Sequence, residues 1–481
     1  MKRASRLAAI PALMGVLLVG CVPISGIKPQ SIAVQSQGLG LGAETAPAID
    51  ARWWEAMADP QLDRLMDAAL ADNPTLDAAM ARLRGAQAVL AEQDAARLPQ
   101  IDADASLLRD RLSGEYEIPP PFAGTTRWIA TAQANISWNL DFWGRQSALI
   151  RQAGASRDAV GYDLAAARLA LAGSVAQTYV DLLRGWQLVD IAQEFVASRQ
   201  HGLALVRVRM RNKLASGFDE NAAVTLLAQA RQAEVRAERD RAVAVHALAA
   251  LIGRGADFYP EIKRPTFALD HALPLPETLP ADLLGRRPDL LAAQARIESA
   301  SAGRKVARTA FYPNIDLRGL IGLQAVGLGA FFTANARTYG AGPAIHLPIF
   351  EGGRLRAEYA GATATLDGAV AKYNDAVLGA VRDVADALTK VDAARADAAE
   401  QEQALLGLSR TVHLNEVRMR TGLGSQLDIL DSNDRLLAAR QARVGIATEA
   451  AIRRIQLLIA VGGGFDPAST PTTETRSKAS S

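Results

Sequence analysis

Two hydrophobic periods divide this chain. Over residues 127–140, apolar Trp128, Ala130, Ala132, Ala134, Ile136, Trp138 and Leu140 alternate with polar Arg127, Thr131, Gln133, Asn135, Ser137 and Asn139, and only Ile129 breaks the pattern. A period of two predicts a β-strand with one apolar and one polar face. Its length suits a membrane-barrel strand: small neutral groups face a water-filled lumen, and Trp sits near both ends of the apolar face as in an interfacial girdle. Residues 100–112 predict the partner strand, joined through a loop around Pro119, Pro120 and Pro121. A second alternation sets Ile315, Leu317, Gly319, Ile321 and Leu323 against Asn314, Asp316 and Arg318, and residues 337–349 predict the fourth strand. The competing reading is a soluble sandwich hairpin, but two hairpins are too few strands for a sandwich. Nor can four strands close a barrel in lipid, where about eight is the smallest number and open edges are not tolerated. The strands therefore predict completion by further copies of the chain.

The other period is helical. No proline occurs between Pro121 and Pro260, or between Pro348 and Pro467. Proline breaks helix interiors, so these gaps delimit where long helices can form. In the second gap Leu366, Val370, Tyr373, Val377, Val381, Val384, Leu388 and Val391 follow one another at spacings of three and four; the first carries Leu164, Leu171, Val175, Tyr179 and Leu182. This is the stripe of an amphipathic or coiled-coil helix. The 70 residues from Gly144 to Lys213 would extend roughly 105 Å if wholly helical, a length that must pack side by side with other helices. Breaks at Ala215-Ser216-Gly217 and Gly422-Leu423-Gly424-Ser425 end the long helices, and return helices are expected over 218–252 and 426–460. Ser216 or Asp219, and Ser425 or Asp428, are candidate caps.

The two tips are copies. Residues 208–231 and 417–440 match at 10 of 24 positions without a gap, including Val208/Val417, Arg209/Arg418, Arg211/Arg420, Leu214/Leu423, Ser216/Ser425 and Asp219/Asp428. The segment Leu98-Pro99-Gln100-Ile101-Asp102 is echoed by Tyr312-Pro313-Asn314-Ile315-Asp316, and Gly144-Arg145 by Gly353-Arg354, in the same order. A period near 209 residues (417 − 208) is far longer than a solenoid unit and marks a duplicated half-protein.

Composition narrows the setting. The 53 basic and 51 acidic residues nearly cancel, which argues against a nucleic-acid binder. Few aromatics and much alanine suit closely packed helices. At the start, Lys2, Arg3 and Arg6 precede a mostly apolar run from Ala8 to Val19, too short for a comfortable membrane span. Leu18-Val19-Gly20-Cys21 follows, with Cys21 the only cysteine of the chain. This resembles a bacterial lipobox, whose cysteine is acylated after cleavage. Val22, in place of an aspartate, favours the outer membrane by the same resemblance. A single cysteine excludes an intrachain disulfide. Candidate chemistry is sparse. The five histidines (His201, His246, His271, His346 and His413) show no ligand spacing, and the Gly-rich runs lack the Lys-Ser/Thr of a phosphate loop. No enzymatic activity, cofactor or metal is expected.

These features together resemble the TolC/OprM-type outer-membrane factors, specifically the lipoprotein subgroup of efflux outer-membrane subunits. Besides Cys21 and the double tip, the resemblance rests on Trp53-Trp54 with Asp59-Pro60-Gln61-Leu62, Asn73-Pro74, Leu251-Ile252-Gly253, Leu284-Gly285-Arg286-Arg287-Pro288-Asp289-Leu290, Phe311-Tyr312-Pro313 and Gly462-Gly463-Gly464. It implies a mixed α+β membrane protein: a homotrimer with one 12-stranded outer-membrane β-barrel, four strands per chain, continuous with a long periplasmic α-helical barrel. Partners would be a periplasmic adaptor (membrane fusion) protein, an inner-membrane pump and outer-membrane lipid. The expected organisation is a lipoprotein signal peptide (1–20), an acylated linker (21–54), an equatorial and first helical segment (55–99), the first β-hairpin (100–141) and the first long helical hairpin (144–253). The second copy follows as an equatorial segment with its helix (254–311), a β-hairpin (312–350), a helical hairpin (352–461) and a tail (462–481).

The resemblance also places the chemistry at the tips. Asp428 and Asp431, three apart at the start of a return helix, share a face and would line the periplasmic gate as rings of carboxylates. Helix capping and favourable acid near a helix N-terminus is the simpler reading, and Asp428 can serve both. The first copy keeps Asp219 but has Ala222 opposite Asp431, so the ring is expected from the second hairpin alone. Gly424 occupies a position where some relatives carry a latch arginine, so that lock is missing here or made differently. Arg209, Arg211, Arg418 and Arg420 read as solvated tip charges rather than gate links. Leu214, Ser216, Leu423 and Ser425 are the adaptor-contact candidates, tight-turn packing being the alternative. The implied function is a passive gated duct for small molecules. A type I protein-secretion exit and a structural periplasmic coiled-coil lipoprotein are the alternatives; the alternating strand 127–140 counts against the second.

Overall fold

The two proline-free intervals contain the four longest helices. The structure, a computed structural model, describes residues 24–35, 38–41, 49–115, 119–269, 275–276, 278, 280 and 282–466. Cys21, the signal peptide, His271 and the tail beyond 466 lie outside the described residues. Helices α1 (Pro60–Asp72) and α2 (Pro74–Ala95) lead into strands β1 (Gln100–Arg111) and β2 (Thr126–Asn139). Helices α3 (Arg145–Arg211) and α4 (Gly217–Leu251) form the first long hairpin. The second copy runs through α5 (Pro288–Thr309), β3 (Asn314–Val326), β4 (Arg337–His346), α6 (Arg354–Arg420) and α7 (Gln426–Ala460). Helices α3 and α6 both have 67 residues, and α4 and α7 both have 35. Each of these pairs is offset by 209 residues (354 − 145 and 426 − 217), whereas α2 and α5 are offset by 214 (288 − 74). The difference is taken up within the β-hairpins.

Small departures from the expected bounds have local causes. The fourth strand, expected to run to 349, stops at His346, because Pro348 cannot donate to a ladder. The first return helix begins at Gly217, one residue early, because Ser216 is its cap.

The chain packs as two units. One takes in described residues of 24–33, 82–160 and 293–373 and contains the sheet. All four strands form one antiparallel sheet in the order β1-β2-β3-β4. The register sorts side chains by chemistry. Ile101, Ala103 and Ala105 pair with Ile136, Ala134 and Ala132, which pair in turn with Gly319, Ile321 and Leu323, giving one apolar face across three strands. On the other face Asp102, Asn135 and Asp104 are joined by hydrogen bonds of 3.1 and 2.7 Å from Asn135 Nδ2, and Asn139 Nδ2 donates to Asn314 and Asp316 at 2.6 and 2.8 Å. Ile129, the one break in the β2 alternation, pairs with Leu108 on one side and Val326 on the other. The exception is therefore a short apolar row on the polar face. The sheet is left open in the single chain. Strand β1 is exposed along its whole length, and Tyr339 and Ile345 of β4 are exposed.

The second unit holds described residues of 34–81, 161–292 and 374–466. Its main core gathers Trp53, Trp54, Leu62 and Met66 against Val175 and Leu182 of α3, Leu248 of α4 and Leu458 of α7. Three consecutive glycines, Gly462, Gly463 and Gly464, close this unit with φ of 105°, 54° and 76°. A Cβ on Gly462 would strike the Arg286 carbonyl, and one on Gly464 that of Asp50; the left-handed backbone and the close approach both demand glycine.

A buried carboxylate pins this core. Asp59 is 2% exposed. Its Oδ1 accepts from the Gln61 amide at 2.9 Å, capping α1, and its Oδ2 accepts from Tyr179 Oη at 2.8 Å and the Thr266 amide at 2.7 Å. Tyr179 also stacks on Phe267 with centroids 5.8 Å apart. Burial alone would raise the Asp59 carboxyl, but hydrogen bonds from the Thr266 amide, Tyr179 and the Gln61 amide outweigh it and hold the group below the ordinary carboxylate range. A depressed folded-state value contributes stability above the unfolded value, and that contribution is lost as pH falls through the folded one. Asp59→Asn is expected to cost about 2 kcal/mol at neutral pH, since it replaces one accepting oxygen by an NH2 donor that faces the donors bound there. It should also flatten the acid limb of the stability curve. Denaturant midpoints from neutral to acid pH check both; a variant with the wild-type acid limb would remove Asp59 from this role.

Candidate functional site

Each long helix ends in a turn that satisfies its own backbone. At the first tip the Leu214 amide donates to the Arg209 carbonyl at 2.8 Å and the Lys213 amide to that of Met210 at 2.9 Å; at the second, Leu423 donates to Arg418 at 2.8 Å and Gly422 to Met419 at 3.2 Å. These paired bonds form a Schellman motif. The residue they require in the left-handed region is Gly422 (φ 78°) in one copy and Lys213 (φ 59°) in the other. Three residues later the chain re-enters a helix through a capping box. The Ser216 amide and hydroxyl donate to Asp219 Oδ2 at 2.7 and 2.8 Å. The Ser425 amide donates to Asp428 Oδ2 at 2.9 Å, and the Asp428 amide returns a bond to Ser425 Oγ at 3.2 Å. Two orphan donors are satisfied reciprocally at each tip, so a turn of a few residues reverses a helix of 67.

The candidate residues divide by what they touch. Ser216 and Ser425 are the caps themselves. Leu214 and Leu423 stand out from the tips, 68% and 75% exposed, and Phe218 is 81% exposed beside the first. The Ser425 amide and hydroxyl hold the Asp428 carboxyl below its ordinary value, with Arg418 adding to the effect; Ser216 and Arg209 do the same for Asp219. Asp431 pairs at 3.0 Å with Arg435 one turn along α7, and both remain exposed. Asp428 and Asp431 thus lie together in the first turns of α7. A side chain at Gly424 would crowd Arg418, with a Cβ 3.1 Å from Arg418 Cβ, and the Arg418 guanidinium donates to the Leu423 carbonyl at 3.2 Å. Arg420 bonds the Glu416 carbonyl at 3.4 Å.

One pair escaped sequence reasoning. Arg199 of α3, 4% exposed, forms an ion pair with Asp434 of α7. The signal was available: Arg199 falls in the buried stripe Ala192, Val196, Leu203 at spacings of four, three and four, and a charge in such a stripe needs a partner. Among the described residues no cluster of His, Cys, Asp and Glu could hold a metal ion, and no helix is long and apolar enough to cross a membrane.

Comparison with known proteins places this architecture. The outer membrane efflux protein family matches residues 65–254 and 279–463. Fusaric acid resistance protein FusA of Burkholderia cepacia is 37% identical over 372 residues, which cover 74% of this chain and 69% of FusA. Outer membrane protein OprJ of Pseudomonas aeruginosa is 30% identical over 476 residues, covering 95% of this chain and 96% of OprJ. The crystal structure of the outer membrane protein VceC of Vibrio cholerae superposes with a TM-score of 0.81 at 31% identity, covering 87% of this chain and all of VceC.

The tip geometry makes two predictions. Lys213→Gly removes a side chain from the left-handed region and should stabilise the first hairpin by about 1 kcal/mol, read as a raised thermal midpoint. Ser425→Ala deletes a cap and should cost about 1 kcal/mol. Hydrogen exchange would then accelerate in the first turn of α7 while α4 keeps wild-type protection; equal acceleration in both helices would contradict a local cap.

Proposed function

The chain belongs to the outer membrane efflux protein family and is an outer-membrane channel subunit of an efflux system; on that premise we propose that three copies close one 12-stranded barrel whose helical hairpins form a gated periplasmic tunnel. The observation that carries the assembly is the open four-stranded sheet. One face is apolar, both edge strands are free, and β1 and β4 run antiparallel. β4 of one copy can therefore pair with β1 of the next without breaking the alternation, and a rotational arrangement closes the ring. Closure satisfies edge amides that hydrocarbon cannot. Trp128 and Trp138, near the two ends of the apolar face, suit the two membrane interfaces.

In this reading the duct is passive. An inner-membrane pump supplies the energy, and a periplasmic adaptor shifts the tips between closed and open. Leu214 and Leu423, with the caps Ser216 and Ser425, meet the adaptor. Cys21 carries the lipid that holds the N-terminus to the outer membrane. Asp428 and Asp431 line the periplasmic entrance; threefold symmetry makes them rings of carboxylates that favour cations and resist close approach of the tips.

Single-channel recording in planar bilayers tests the gate. Wild type is expected to show a small, cation-selective conductance, and Asp428→Ala/Asp431→Ala a larger and less selective one. Equal conductance and selectivity in the two proteins would remove the gate assignment while leaving the duct. No conductance from either, with an intact assembly, would favour a structural lipoprotein.

A further inference from the structure

The register of the sheet sorts its charges between the two faces. Asp102, Asp104, Asp110, Asp316, Arg127 and Arg318 all fall on the polar face, where Arg127 stands directly opposite Asp110. On the apolar face the four strands carry no carboxylate. They carry three arginines there: Arg109 opposite Trp128, Arg111 opposite Thr126 and Arg337 opposite Leu323. All three are exposed, and none has an acid across the ladder.

These arginines share one end of the sheet. Arg111 is the last residue of β1 and Arg337 the first of β4. Both ends are remote from the helices, which precede β1 and follow β4. A single chain holds them on opposite edges. In the proposed barrel, β4 of one copy lies beside β1 of the next, so Arg337 of one copy and Arg109 and Arg111 of its neighbour gather at one rim. The cluster is complete only between copies.

The ladder also sets the depth of this rim. Trp128 and Trp138 are ten residues apart (138 − 128) on the apolar face of β2. At roughly 3.4 Å per residue and a tilt of about 45°, they are separated by about 24 Å along the membrane normal, the height of a barrel's apolar band. Trp128 thus marks one interface, and the Arg109 guanidinium lies 5.7 Å over its ring. At the other interface Ile101, Trp138, Ile315 and Ile345 end the same face without a charge, and Trp138 Nε1 donates to the Arg97 carbonyl at 2.9 Å. A charge near an interface costs little, which explains why arginine is tolerated at the rim but not why every charge there is positive. Guanidinium forks match phosphate oxygens bidentately. A rim of arginines with no acid opposite them is complementary to phosphate, and the end remote from the periplasmic helices is the outer leaflet.

We infer that Arg109 and Arg111 of one copy, with Arg337 of the neighbouring copy, bind the phosphate groups of an outer-leaflet lipid headgroup. Trp128 and the exposed Tyr339, on the same face, flank the upper part of its acyl chains. The site rests on the proposed barrel and is independent of the gate.

Native mass spectrometry of the assembled protein, titrated with bisphosphorylated lipid A, tests this. Wild type is expected to bind it, to bind the dephosphorylated lipid far more weakly, and to keep it in the presence of equimolar inorganic phosphate. Affinity should fall about fivefold for each arginine neutralised, so about a hundredfold in Arg109→Gln/Arg111→Gln/Arg337→Gln. Arg127→Gln, on the polar face of the same rim, should bind within about twofold of wild type. Should the triple variant not assemble, Arg111→Gln serves, with a fivefold loss expected. Wild-type affinity in either assembled variant overturns the site, as do equal binding of the dephosphorylated lipid, displacement by inorganic phosphate or an equal loss in Arg127→Gln. Bilayer recording on the same samples separates the two readings. A conducting triple variant with wild-type lipid affinity loses the site and keeps the barrel, whereas a wild-type protein that forms no conducting assembly loses both.

Discussion

A strand edge in hydrocarbon has no water to turn to, and that single constraint organises this molecule. The sheet has four strands, a continuous apolar face and two free edges. In water such a sheet could be covered by a helix or blunted by charge. The exposed β1 carries Ile101, Ala103, Ala105 and Leu107 on its apolar face instead, a surface that makes sense only against lipid and a neighbouring strand. In the proposed assembly each copy finds its edge partners in another copy, and the internal duplication gives every copy two helical hairpins of equal lengths.

Duplication explains the economy of the design and also its limits. Two tips built from the same Schellman turn and the same capping box reverse two helices of equal length. Turns so alike cannot by themselves distinguish the two hairpins. Asymmetry comes from positions where the copies diverge, among them Lys213 against Gly422, Ala222 against Asp431, Arg199 against Leu408, and Thr225 against Asp434. All four concern the tips or the seam just behind them.

Most of the fold was legible because its signals are local. Alternation over 127–140, the stripe from Leu366 to Val391 and the two proline-free intervals specify strands and long helices from neighbours in the chain. Helix ends were legible for the same reason: a serine followed three residues later by an aspartate carries the capping box in its spacing. The Ile129 exception became intelligible only in the sheet register, which brings Leu108 and Val326 to its sides. The contacts that were not legible join distant residues. Asp59 meets Thr266 across 207 positions, and Arg199 reaches Asp434 in the other repeat. Periodicity shows that a charge occupies an apolar stripe; it does not show which of many carboxylates answers it.

The same logic separates the two carboxylates of the proposed gate. Asp428 has a structural duty that Asp219 performs equally well at a tip with no acidic partner one turn on. Capping therefore accounts for an aspartate at both positions without reference to any pore. The cap engages Oδ2 of Asp428, and a carboxylate has a second oxygen, so capping does not prevent it from facing an entrance. Asp431 is different in kind. It caps nothing, its counterpart is Ala222, and its contact within the chain is an exposed i, i+4 pair with Arg435, an interaction of little energetic weight. A charge with so little structural reason to be there points outward from the fold. Within the proposed gate Asp431 is accordingly the residue specific to the pore, and Asp428 the one that holds it in place.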